Sequence, residues 1–139
     1  MQSIKPLYIV IDDDILNNMI CKITLEMALG SLPVETFSNA EVAIDFIQTN
    51  YLTATNGSIT IILLDINMPV MSGWEFLEYF ESFFSETIKG QFQIYMLSSS
   101  VDDRDKERAG MEKNVVGFLS KPLTKEMVRQ IDLQVKKAS

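Results

Sequence analysis

Three consecutive acids, Asp12, Asp13 and Asp14, follow directly on the apolar run "YIVI" at residues 8–11. Adjacent carboxylates repel: at about 5 Å and an effective dielectric near 20, each close pair costs about 3 kcal/mol. Such a cluster is either splayed into water or partnered by positive charge. A further acid, Asp65, ends the apolar run "ITIILLD"; "MLSSS" places Ser98, Ser99 and Ser100 after another such run, and "GFLSKPL" places Lys121 after a third. Several carboxylates, a hydroxyl and one lysine at the tips of apolar runs have a limited set of uses. Carboxylates from neighbouring tips suit a hard cation with oxygen ligands, and Mg²⁺ takes one or two of them while keeping waters and phosphate oxygens for the remainder. A lysine facing them pairs with Asp65 or with a phosphoryl oxygen. An aspartate can itself attack phosphorus to give an acyl phosphate, with the cation and lysine spreading the charge on the transferred group.

This chemistry requires elements that bring the tips together. "PLYIVI" (6–11) reads as a strand buried on both faces, followed by a helix with Leu16, Ile20, Ile23 and Met27 at helical spacing and Gly30 at its end. "VETF" (34–37) is a short second strand, and Ser38 with Glu41 has capping-box spacing for a helix turning Ala40, Ile44 and Ile47 inward. "ITIILL" (59–64) is the third strand; Ser72 and Glu75 form a second capping box, opening a helix with Phe76, Leu77, Phe80 and Phe84. Phe83 competes with these for the interior, so part of the aromatic run is left exposed. "FQIYML" (92–97) and "VVGFL" (115–119) are strands four and five, separated by a polar helix over 102–113. Thr124 caps a last helix with Met127 or Val128, Ile131 and Val135 inward. Alternating strands and helices predict an α/β fold: a five-stranded parallel sheet covered on both faces by five helices. Ligands gather beyond the carboxyl ends of such strands, where the acids, hydroxyls and lysine fall.

The 139 residues make one domain, 1–139, of globular composition, with 47% hydrophobic and 22% charged residues. A net charge of −7 argues against nucleic-acid binding, which needs clustered Lys and Arg. The chain has no histidine, which excludes histidine catalysis and His ligation of a metal. The single cysteine, Cys21, excludes an internal disulfide and reads as a small buried apolar residue. The first apolar run is short and meets Asp12 at once, so no signal peptide is expected, and 59–66 is interrupted by Thr60 and Asp65 and is too short to span a bilayer. A cytoplasmic protein with no membrane association is expected.

The acidic pair, "LLDINMPVMSGWEFL", "MLSSS" and "GFLSKPL" together resemble the receiver domain of two-component response regulators, the family of the bacterial chemotaxis regulator, over about Leu7–Val135. The resemblance implies a flavodoxin-like sheet with strand order 2-1-3-4-5. It makes Asp65 the phosphoacceptor, and Asp12, Asp13, Asp65 and the backbone carbonyl of Asn67 the Mg²⁺ site, with Asp12 acting largely through water and Asp14 making no direct contact. Ser98 and Lys121 are matched to the groups that contact the phosphoryl, and the Lys121–Pro122 peptide is expected to be cis. Phe118 falls at the aromatic switch position; it lacks the tyrosine hydroxyl common there, so a switch relying on that hydrogen bond is not expected. Ser99 is small enough to admit a phosphodonor, and Asn67 with Ser100 influences the lifetime of the acyl phosphate. Met68 and Pro69 shape the turn, Gly73 eases the start of the third helix, and Trp74 packs there. The charges of 102–113, Arg104, Asp105, Lys106 and Arg108 among them, read as a solvated face.

The implied function is a Mg²⁺-dependent receiver taking a phosphoryl group from a histidine kinase or histidine phosphotransfer protein. Phosphorylation then changes the face of the fourth helix, fifth strand and fifth helix for a downstream protein target. Asp65 would catalyse its own phosphorylation and dephosphorylation, without turnover of small substrates. A stand-alone receiver is expected, with a domain cut from a longer regulator left open. Two other readings remain: a degenerate receiver that binds partners constitutively, and a haloacid-dehalogenase-type phosphatase. The latter wants Asp-x-Asp where this chain has "DIN" at 65–67. A calcium-binding EF-hand fails on spacing.

Overall fold

A computed structural model describes residues 6–53, 59–99 and 102–138. Strands and helices alternate as β1 (Leu7–Ile11), α1 (Ile15–Leu29), β2 (Val34–Phe37), α2 (Ala40–Asn50), β3 (Thr60–Asp65), α3 (Gly73–Phe83), α4 (Glu86–Lys89), β4 (Phe92–Ser98), α5 (Asp103–Met111), β5 (Val115–Ser120) and α6 (Lys125–Ala138). The strands form one parallel sheet of order β2-β1-β3-β4-β5, the flavodoxin-like arrangement.

Successive side chains of a strand point to opposite faces, so the sheet feeds two cores. Ile9, Ile11, Ile62, Leu64, Ile94 and Met96 meet α2 and α3 through Ala43, Ile47, Phe76 and Phe80. Tyr8, Val10, Ile61, Leu63, Tyr95 and Leu97 meet α1 and α6 through Cys21, Leu25, Val128 and Ile131. Every residue of β3 is buried, which explains its unbroken apolar run. The capping box at Ser72 and Glu75 is present with both its bonds, and Thr124 Oγ1 accepts from the Met127 N–H. Phe84 is buried and Phe83 exposed, which resolves the crowded aromatic run.

Three expectations need correction. The described residues contain six helices, not five. The additional one, α4, is a single turn that starts because Ser85 Oγ accepts from the Ile88 N–H and Ile88 is buried; four residues are too few to show a helical period. Next, α2 is capped by Asn39, whose side chain accepts from the N–H groups of Glu41 and Val42, one residue later than the Ser38 spacing suggested.

The largest departure is α1. Its stripe Leu16, Ile20, Ile23 and Met27 faces outward, with exposures of 63%, 38%, 52% and 63%, while its buried residues are Asn17, Asn18, Cys21 and Leu25. The cause is Asp12. Asn17 Nδ2 donates to the Asp12 carboxylate at 2.7 Å, and Asn18 Nδ2 to the Asp12 carbonyl at 2.9 Å. These bonds turn the amides inward and rotate the apolar stripe into solvent.

Candidate functional site

All strands run the same way, so their carboxyl ends meet at one edge, with Asp65 beside Leu97 and Ser98 beside Ser120 across the ladder. Asp12 follows β1 and is 1% exposed. Its N–H donates to the Phe37 carbonyl at 3.0 Å. Its carboxylate accepts from the Asp14 N–H at 2.8 Å, from Asn17 Nδ2 at 2.7 Å and from Lys121 Nζ at 2.7 Å. Lys121 also donates to Asp65 Oδ1 at 3.1 Å, and its own N–H to the Ser98 carbonyl at 2.8 Å. One ammonium thus bridges the tips of β1 and β3 from the end of β5.

The carboxylates of Asp12, Asp13 and Asp65 each offer an oxygen, and these lie within 4.8 Å of one another. Asp12 and Asp65 are buried and Asp13 exposed, giving the cluster one open side. Three carboxylates with an opening to solvent fit a hard cation that retains water. Asp14 instead caps α1, its side chain accepting from the Asn17 N–H. Burial first, then the charge of Asp12, pushes the Asp65 carboxyl up to about 6 against the pull of Lys121. Burial alone would lower Lys121, but its bonds to Asp12 and Asp65 hold it above the usual lysine value. Cys21 lies against Asn17 and is pushed up to about 12 by burial and by Asp12; its thiol is inert at neutral pH.

Ser98 is buried at the end of β4 and Ser99 is exposed; Ser100 lies outside the described residues. Asn67 is exposed just past Asp65. Phe118 is half-buried against the α2/α3-side core. The Lys121–Pro122 peptide is cis. The loop from β3 to α3 is tightly drawn. Gly73 N–H donates to the Ile66 carbonyl at 2.8 Å, and a Cβ at Gly73 would sit 2.4 Å from the Asp65 carbonyl oxygen, so no other residue fits there without displacing the Asp65 backbone. Val70 in the same loop has φ 70°, a left-handed conformation that costs a branched residue about 1–2 kcal/mol.

The structure therefore brings Asp12, Asp13, Asp65 and Lys121 together and places Asn67, Ser98, Ser99 and Pro122 on the adjoining strand ends and loops. Sequence reasoning missed Asn17 and Asn18, whose signal was a pair of amides in the first turn of α1, directly after the acids. It also missed a contact of Arg108, assigned to a solvated face: its guanidinium lies 4.4 Å from the ring centre of Trp74.

The sequence profile of the response regulator receiver domain matches residues 8–131. The chain belongs to the response regulator receiver family. This receiver is similar to a two-component response regulator of Cytophaga hutchinsonii, at 28% identity and a TM-score of 0.86, over 97% of this chain and 99% of that one. It is also similar to a response regulator receiver protein of Dyadobacter fermentans, at 26% identity and a TM-score of 0.82, over 95% and 98% of the two chains. The chemotaxis protein CheY4 of Vibrio cholerae, at 24% identity and a TM-score of 0.70 over 96% and 99%, shares the fold. No curated protein matches the receiver. Among its described residues no helix is long and apolar enough to cross a membrane.

Proposed function

We propose that this receiver accepts a phosphoryl group on Asp65 from a phosphohistidine of a histidine kinase or histidine phosphotransfer protein. A carboxylate oxygen of Asp65 forms the new O–P bond, the P–N bond breaks, and the leaving imidazole takes a proton. The observation that carries this reading is the Lys121 bridge between the buried carboxylates of Asp12 and Asp65, beside the open side of the carboxylate cluster. Asp12, Asp13 and Asp65, with the Asn67 backbone carbonyl, would hold Mg²⁺, which supplies neutralising charge to the carboxylates and the transferred group. Lys121 exchanges one carboxylate for a phosphoryl oxygen. Ser98 supplies a hydroxyl from the neighbouring strand, and Ser99 leaves room for the donor. Asn67 and Ser100 influence how long the acyl phosphate survives. The added charge of about −1.5 to −2 shifts the balance between two arrangements of α5, β5 and α6, with Phe118 moving between them. That face then serves a downstream protein.

The protein donor has a fitting surface. Ile15 and Leu16 directly follow Asp14, and Ile15, Leu16, Met19, Ile20, Ile23 and Met27 are all exposed along α1. The 4-3-4 spacing of Leu16, Ile20, Ile23 and Met27 is the seam that packs on another helix. A helical donor docked there lies alongside the carboxylate edge, and the histidine absent from this chain comes from it.

Incubation with Mg²⁺ and acetyl phosphate, followed by intact mass, tests the reading. One added phosphoryl group is expected, lost in Asp65→Asn and in chelator. No adduct on the parent chain would leave a constitutive binding module; turnover of many phosphate esters would point to a phosphatase.

A further inference from the structure

The Trp74–Arg108 contact joins two parts of the molecule that nothing in the proposed chemistry joins. Trp74 follows Gly73, whose N–H is bonded to the Ile66 carbonyl and where a Cβ would collide with the Asp65 carbonyl. Trp74 is 9% exposed and stands in the first turn of α3, where the loop from Asp65 ends. Arg108 belongs to α5, a polar helix whose one buried residue is Ala109. Its cap, Asp102, accepts from the Arg104 N–H and pairs with the exposed Arg104 guanidinium. An element with so little buried apolar surface opens and shifts more readily than its neighbours. A cation within 6 Å of an indole face is attracted to it, and Arg108 meets that condition at 4.4 Å.

We infer that Arg108 is a positioning residue: through Trp74 it clips α5 to the backbone bearing Asp65, so that the state of Asp65 and the place of α5 are energetically coupled. The inference rests on Asp65 being the phosphoacceptor and concerns how that site is regulated. The clip is closed in the unphosphorylated protein. When Ser98 is drawn to the phosphoryl group, the tip of β4 and the helix that follows it move, and Arg108 slides off the indole. Loss of the clip therefore favours the phosphorylated arrangement, by the two- to fivefold that a cation–π contact at an accessible site is worth. Coupling of this kind is reciprocal: whatever holds α5 in the shifted position also favours the phosphorylated state, and a larger population of that arrangement before labelling raises the labelling rate.

The test compares Arg108→Met, Arg108→Lys, Trp74→Phe and the double variant Arg108→Met/Trp74→Phe, each checked for folding by circular dichroism. The rate of labelling by acetyl phosphate with Mg²⁺ is followed by intact mass. Arg108→Met is expected to label about two- to fivefold faster than the parent, Arg108→Lys to fall back toward the parent rate, and the double variant to match Arg108→Met. Trp74, the single tryptophan, adds a second readout. Its emission should change on phosphorylation in the parent and start near the phosphorylated value in Arg108→Met. Equal rates for Arg108→Met and Arg108→Lys, additive effects in the double variant, or an unchanged labelling rate in Arg108→Met would each overturn the clip. Failure of the parent itself to take up mass would overturn the phosphoacceptor assignment and the clip with it, a result separable from the others because it precedes any substitution.

Discussion

At the scale of single residues, the site is held by a lysine occupying the centre of a carboxylate cluster. Asp12 is engaged by Asp14, Asn17 and Lys121 at once. Removing the ammonium leaves two buried carboxylates facing each other. Lys121→Met is therefore expected to destabilise the metal-free domain by about 3 kcal/mol in urea titrations and to recover part of that loss when Mg²⁺ is added. Asp65 titrates near 6 in the folded state against 3.8 for a free aspartate. The folded state thus takes up this proton first, so in chelator the group adds stability as pH falls from 7 through 6 towards 4, and that gain is absent at neutral pH. The same proton competes with the cation: calorimetric Mg²⁺ affinity should fall about tenfold per pH unit below 6. Val70, exposed at φ 70°, contributes strain without packing. Val70→Asn should raise stability by about 1 kcal/mol, read as a higher urea midpoint at unchanged slope.

At the scale of elements, β1, β3, β4 and β5 were legible because each is an apolar run ended by a polar tip, while capping-box spacing marked the start of α3 but misplaced that of α2 by one residue. The phase of α1 was not legible. Periodicity showed that Leu16, Ile20, Ile23 and Met27 share a face, but which face meets the sheet depends on Asn17 and Asn18 reaching back to Asp12, a tertiary matter. Within the candidate site the acids and lysine were readable from strand-end position alone; the Arg108–Trp74 contact was not, since it joins residues 34 positions apart in sequence. The outward stripe yields a sharp expectation. Ile20→Glu with Ile23→Glu should change folding stability by less than about 0.5 kcal/mol and leave acetyl phosphate labelling intact. Transfer from a phosphorylated histidine protein should drop at least tenfold, measured by radiolabel exchange. Gly73→Ala does the reverse: its methyl meets the Asp65 carbonyl oxygen, so labelling falls and stability drops by about 1–3 kcal/mol.

At the scale of the whole molecule, the sheet order puts β3 at the centre, hydrogen-bonded to β1 and β4, while β5 has a neighbour on one side only. Binding of a cation to the folded state alone adds stability by mass action, about 2.7 kcal/mol at a hundredfold excess over Kd, and a thermal scan with and without chelator measures it. The sheet order also divides the labour of the fold. Asp65 ends a strand that is wholly buried and cannot shift without breaking two ladders. β5 meets β4 through an irregular register at Ile94 and Tyr95 and leaves Val116 half in water. Amide deuteration should therefore draw a gradient across the sheet even before phosphorus arrives, slowest at Ile62 and Leu63 and fastest along β5, marking one rim of the domain as its pliable margin.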